Sequence, residues 1–169
     1  MVPNNGSIFD SISNFFTGGG DHIPWCDRDT VAGCEREASS ESVNGMSDEQ
    51  RSESIMRLSW ALVHSRQPED VERGIAMLEA ALAGANSASQ KRERLYLIAV
   101  GYYRNGDYPR SRQLAEQCLE IEPNWRQALA LKQTVEERIT KDGVVGIGIT
   151  ATAVGLIVGG IAAALVRRG

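Results

Sequence analysis

Histidine is nearly missing from this chain. His22 and His64 are the only two in 169 residues. His64, inside WALVHSR (60–66), reads as a helix-surface residue rather than a general base. There is no G-x-G-x-x-G, no P-loop, no nucleophile elbow and no paired-carboxylate arrangement. The expectation is therefore a protein that is not an enzyme and needs no cofactor. Cysteine is scarce too: Cys26, Cys34 and Cys118 make an odd count without CxxC or Cys/His spacing, which argues against a disulfide framework and against zinc. Free thiols are expected, with Cys118 in a helical core. Two of the 18 basic residues fall in the last three positions, leaving 16 against 22 acidic ones. A nucleic-acid footprint, which needs a basic face, is excluded on that balance. The start, MVPNNGSIFDSISNFF, lacks the basic n-region of a secretory signal and the arginines of a transit peptide. Alternating β-patterns of useful length are also missing, so the chain is expected to be all-α.

What the sequence does contain is one long uncharged run. Residues 143–166 (GVVGIGITATAVGLIVGGIAAALV) hold 24 residues without a charge, followed by Arg167, Arg168 and Gly169. A helix of that length spans roughly 36 Å, enough for a hydrocarbon core of about 30 Å with some tilt. The expectation is a single-pass transmembrane tail anchor at 143–166 with a basic stub at 167–169 and the N-terminal part in the cytosol. A buried core helix is the alternative, but only 142 residues precede the run, enough for one small domain. The run holds six glycines and five alanines, so it is only moderately hydrophobic. That composition with a short basic end suits insertion at mitochondrial or peroxisomal surfaces. Arg167 and Arg168 are the expected targeting residues, snorkelling to headgroups. Ala151, Gly155, Gly159 and Ala163 recur every four residues, a small-residue stripe that either packs helices into a homodimer or oligomer or merely tunes hydrophobicity for targeting.

Ahead of that run the pattern is helical. Residues 1–26 read as a flexible N-terminal arm in which Ile8, Ile12, Phe15 and Phe16 recur at helical spacing before Gly18-Gly19-Gly20. Three roles stay open for the arm: covering a partner site, completing the core, or lying on a membrane surface. Residues 27–141 read as one helical domain. Helices are expected over 27–38, 48–65, 69–83, 89–105 and 107–121, with a last helix opened by Pro123 and running to 141. Ser47 is the expected N-cap of the second, with Gln50 completing a capping box.

Helix pairs with short turns suggest a repeat. Residues 92–125 resemble a tetratricopeptide repeat, with Leu95, Ile98, Ala99 and Tyr102 on the first helix, Gly106-Asp107-Tyr108 at the turn, Ala115 and Cys118 on the second helix, and Pro123 at the end. Ser111 stands where the repeat usually has Ala. A weaker unit covers about 55–88 with Gly74, Leu78 and Ala81, and its turn lacks the glycine. Two repeats leave both ends of a stack open, so the 27–38 and 123–141 helices are expected to cap them. Such a bundle has a shallow concave face lined by the first helix of each pair. The expected lining is Ser59, Val63, Tyr96, Val100, Tyr103 and Arg104, suited to a short peptide. Tyr96 and Val100 serve equally well as core residues, and Tyr103 and Arg104 are the stronger candidates.

The strings WALVHSR (60–66), RGIAMLEAAL (73–82), YLIAVGYYRNGDY (96–108), EPNWRQALAL (122–131) and KDGVVGIGI (141–149) resemble the mitochondrial fission 1 protein family in its plant-type form. The resemblance covers about 48–169. It implies a six-helix bundle facing the cytosol from the mitochondrial outer membrane and in part from peroxisomes. The implied role is an adaptor that helps recruit dynamin-related GTPases, directly or through division adaptor proteins. The same parts also fit a tail-anchored co-chaperone or import receptor that captures peptides. That reading expects several Lys or Arg gripping a terminal carboxylate, and the face offers mainly Arg104, with Arg66 nearby.

Overall fold

The structure is a computed structural model that describes residues 23–39 and 45–143. Within them lie six helices: α1 (Arg28–Ser39), α2 (Asp48–Val63), α3 (Pro68–Leu82), α4 (Ala88–Arg104), α5 (Tyr108–Ile121) and α6 (Arg126–Gly143). Each packs on the next, and α4 also touches α2 and α6. The helices thus form two antiparallel pairs, α2/α3 and α4/α5, with α1 and α6 covering the two ends. This is the expected all-α, two-repeat arrangement with capping helices.

Local chemistry sets the helix starts. Ser47 Oγ accepts from the Gln50 amide at 3.3 Å while the Ser47 amide donates to Gln50 Oε1 at 3.0 Å, closing the capping box on α2. Pro68 opens α3, where its missing N–H costs nothing. Asp107 caps α5 through the Arg110 amide at 3.2 Å. The turn before it needs a left-handed residue, and Gly106 supplies φ 78°.

Most boundaries shift by one or two residues from expectation, and two of the shifts have a visible cause. Helix α2 stops at Val63 rather than at 65, because Ser65 leaves the helix to donate to Asp70 Oδ2 at 2.7 Å and to accept from the Gln67 amide at 3.2 Å. The last helix begins at Arg126 rather than at Pro123. Pro123 and Asn124 form a turn, with the Trp125 amide donating to Glu122 O at 3.1 Å. Trp125 is held there by Tyr96, with ring centroids 5.0 Å apart, and by the Arg92 guanidinium 4.5 Å above its ring.

The main core runs through both pairs and α6, with Leu78, Leu97, Ile98, Leu131 and Val135 all but sealed from solvent. Small residues let the helices close on one another. Gly74 lies against Leu62 and Val63, and Gly101 lies against Ile75 and Val63. Cys118 is in this core, as its helical position suggests, and burial pushes its thiol up to about 12. Ser111, the departure from the repeat pattern, is buried but satisfied: its hydroxyl donates to Ala99 O at 2.7 Å. It therefore ties α5 to α4 where an alanine would only fill space.

A second, smaller cluster of Val31, Leu58, Ala61 and Leu62, with Cys26, glues α1 to α2. The ion pairs that also hold α1, Arg57 with Glu37 at 3.4 Å and Arg73 with Glu35, join side chains that are roughly a third to a half exposed, so each adds at most about 1 kcal/mol. Apolar contact is what fixes this cap.

The arm expected over 1–26 ends earlier than that. Ile23 and Cys26 are buried, and Ile23 belongs to the main core cluster, so 23–26 are part of the folded body. Residues 1–22 lie outside the described residues, as do 144–169. The expected membrane helix, its stripe of Ala151, Gly155, Gly159 and Ala163, and the targeting pair Arg167 and Arg168 fall there. Among the described residues no helix is long and apolar enough to cross a membrane.

Candidate partner-binding face

The six residues expected to line the concave face separate into two groups. Ser59, Val63, Tyr96 and Val100 are buried, with exposures of 3% or less. Helices α2 and α4 approach so closely that these side chains interlock instead of facing outward. The Ser59 hydroxyl turns back to Ile55 O at 2.7 Å. Tyr96 packs on Trp125, and burial holds its hydroxyl pKa well above the ordinary value. These four are core, and they do not form an open lining.

Tyr103 and Arg104 remain half-buried at the end of α4. They meet a feature that the sequence reading missed. Residues 23–27, outside any helix, run as a strap past the C-terminal ends of α2 and α4. The Cys26 amide donates to His64 O at 2.8 Å. Arg104 Nη2 donates to Ile23 O at 2.5 Å and to Pro24 O at 2.9 Å. Its guanidinium also lies 3.5 Å from the centroid of the Trp25 ring, and the Arg66 guanidinium sits 4.8 Å from the same ring. Trp25 is nonetheless 48% exposed, a large apolar group left at the surface. The only hint in the sequence was an isolated Ile-Pro-Trp just ahead of a charged helix, and no local periodicity pairs it with Arg104 eighty positions later.

His64 is also not where it was expected. It is 1% exposed rather than on a helix surface. Its ring stacks on Trp60 with centroids 4.4 Å apart, and its Nδ1 lies 2.7 Å from Trp60 O, so the neutral ring donates there. Its pKa falls from 6.5 to about 4: burial is the main cause, the bond to the Trp60 carbonyl opposes it, and the nearby Arg104 charge adds to it. The neutral form is thus the folded form. Stability from this group is complete above pH 6.5 and drains away as pH falls through 4, because the unfolded chain takes up the proton first. Between pH 7 and 4.5 the loss is roughly 2 kcal/mol. Urea unfolding at both pH values should show that loss in the natural chain and much less of it in His64→Gln; an equal loss in both would contradict the assignment.

Chemically the rim can hold main-chain carbonyls, as Arg104 does. Among the described residues there is no group of three or more His, Cys, Asp or Glu placed to hold a metal ion. What the rim offers is two guanidiniums, one exposed indole and Tyr103, whose ring packs 5.7 Å from Tyr108. Two helix pairs of this kind, capped at both ends, match known domains directly. Residues 53–83 match the Fis1 N-terminal tetratricopeptide repeat and residues 92–144 the Fis1 C-terminal tetratricopeptide repeat. Mitochondrial fission 1 protein A of Arabidopsis thaliana is 60% identical over 166 residues, 96% of each chain. The chain belongs to the mitochondrial fission 1 protein family. Mitochondrial fission 1 protein B of the same plant is 54% identical over the same share of each chain. Among solved structures, the crystal structure of fission protein Fis1 from Saccharomyces cerevisiae superposes with a TM-score of 0.60 at 25% identity, covering 72% of this chain and 89% of that one. Yeast Fis1 in complex with an Mdv1 fragment shares the fold, with a TM-score of 0.59 at 24% identity, covering 70% and 89%. The first matched repeat falls on the pair α2/α3 and the second on α4/α5 together with α6, and the family resemblance read from the sequence is thereby established.

Proposed function

We propose that this chain is an adaptor of mitochondrial division that works by holding extended segments of partner proteins, not by catalysis. The observation that carries the reading is the Arg104 clasp. On a two-repeat scaffold, the rim of the face already holds the chain's own residues 23–26, through the Ile23 and Pro24 carbonyls, the Trp25 indole and the Cys26 amide. Family membership supplies the process, mitochondrial fission. The yeast relative, crystallised with a fragment of the coiled-coil protein Mdv1, supports a division adaptor as the class of partner.

In the finer form of the proposal, 143–166 anchors the protein in the mitochondrial outer membrane and in part in peroxisomes, with the helical domain in the cytosol. The domain then helps recruit dynamin-related GTPases, directly or through adaptors. The working rim is Tyr103 and Arg104 together with Trp25, and the membrane stripe Ala151, Gly155, Gly159 and Ala163 is a candidate for self-association.

The test is a fluorescent N-terminal fusion expressed in plant cells with mitochondrial and peroxisomal markers, followed by carbonate washing of the membranes. The expected result is a signal around both organelles, fragmented mitochondria on overexpression, and protein retained after the wash. Release by carbonate overturns the anchor. Unchanged organelle shape at high expression overturns the division role.

A further inference from the structure

Beside the strap lies a cleft of about 330 Å³. Trp25, Pro68 and Val71 supply its apolar walls, and Arg66, Arg104 and Glu72 supply its charges. The two arginines differ. Arg104 is committed to the carbonyls of Ile23 and Pro24. Arg66 is exposed, lies with its guanidinium against the indole, and has no hydrogen-bond acceptor among the described residues. Stacking on a ring uses the face of a guanidinium and leaves its N–H edge open, so the edge remains available to a carboxylate.

The geometry points to this cleft as the part of the rim that binds an acidic segment of a partner laid alongside the strap, with a carboxylate on Arg66 and a neighbouring aliphatic side chain on Trp25, Pro68 and Val71. Three observations select that occupant. The rim holds main chain, as the Arg104 bonds to the Ile23 and Pro24 carbonyls show. Two guanidiniums against one carboxylate give the cleft a net positive charge, which favours an acidic residue over a basic one. Glu72, on the facing wall, offers an acceptor to a backbone N–H of the same segment and repels a ligand that turns its carboxylate the wrong way. The inference rests on the adaptor reading in taking the ligand to be protein, and it deepens that reading at the same rim by adding the ligand's chemistry.

The experiment uses the full chain in detergent micelles with 15N-labelled tryptophan. Trp25, Trp60 and Trp125 give three indole resonances, and Trp25→Phe assigns the first. Two pools of acetylated, amidated hexapeptides are titrated, one with a fixed Glu-Leu pair and the other with a fixed Lys-Leu pair, the remaining positions randomised. The expected result is a saturable shift of the Trp25 resonance with the Glu-Leu pool, none with the Lys-Leu pool, and an unmoved Trp125. Arg66→Gln, an exposed change that leaves the core intact, should weaken the Glu-Leu response about tenfold. A response to both pools, to neither, or one unaffected by Arg66→Gln overturns the proposal. Organelle shape in cells is scored separately: normal division with a silent cleft removes this site and leaves the adaptor reading standing.

Discussion

Gly74→Ala should destabilise the domain by about 2–3 kcal/mol, although it adds a single methyl group. A Cβ at Gly74 meets Leu62 Cβ and Val63 Cγ1 at 2.9 Å and the Val63 backbone nitrogen at 3.0 Å. Two of those atoms cannot swing aside, because one is backbone and the other is fixed to it. The intrinsic preference of alanine for helix returns up to about 1 kcal/mol, too little to offset the overlap. Gly101→Ala meets Ile75 Cγ1 at 2.5 Å and Val63 Cγ1 at 3.3 Å, so it should cost a similar amount. Both overlaps press on Val63, so a shift that relieves one partly relieves the other. The double variant should lose less than the sum of the two singles. Urea or thermal unfolding of the three variants checks this. A neutral or stabilising Gly74→Ala would mean that α2 and α3 are not as close as described. The consequence would reach the rim as well, because Val63 ends the helix whose next residue, His64, anchors the strap through its carbonyl.

Arg94→Ala should cost about 2–4 kcal/mol, whereas Arg94→Met should cost clearly less. Arg94 is 5% exposed, and its Nη1 donates to Ala81 O at the end of α3, while its Nε has no partner among the described residues. The Ala81 carbonyl keeps a donor after the substitution, since the Gly84 amide also reaches it at 3.0 Å. Removing the guanidinium therefore orphans no buried acceptor. What alanine forfeits is mainly the volume of the stem and a charge-assisted bond, and methionine restores the volume while removing the desolvated charge. Equal losses for the two variants would show that the hydrogen bond, rather than packing, is what Arg94 contributes. The same comparison tells whether a buried arginine in the first helix of the second repeat serves stability or only orients α4 on α3.

The helices and their order were legible from periodicity, caps and turn residues. Ser47 with Gln50, Pro68, and Gly106-Asp107 act within four residues of themselves, so a linear reading finds them. The identity of the repeats was legible for the same reason: Gly74, Ala99, Ala115 and Cys118 mark close helix approach at fixed spacing. The partner face was legible only in part. Which side of α4 faces outward depends on how near α2 comes, and that distance is set by Gly74 and Gly101 jointly, across two helices. Tyr96 and Val100 therefore sank into the core while Tyr103 and Arg104, one turn further on, stayed at the rim.

By itself, then, the chain's order of residues specified everything governed by neighbours in sequence: the all-α class, six segments, two repeats, and the family. Tertiary structure alone decided what depends on residues far apart meeting. It put His64 inside, and it placed Trp25 between Arg66 and Arg104. It also turned residues 23–26 from presumed loose arm into part of the body. The physical reason is range: capping and turn formation draw on a few adjacent peptide groups, whereas burial and ring–guanidinium contact depend on which distant surfaces the packing of α2, α3 and α4 brings together.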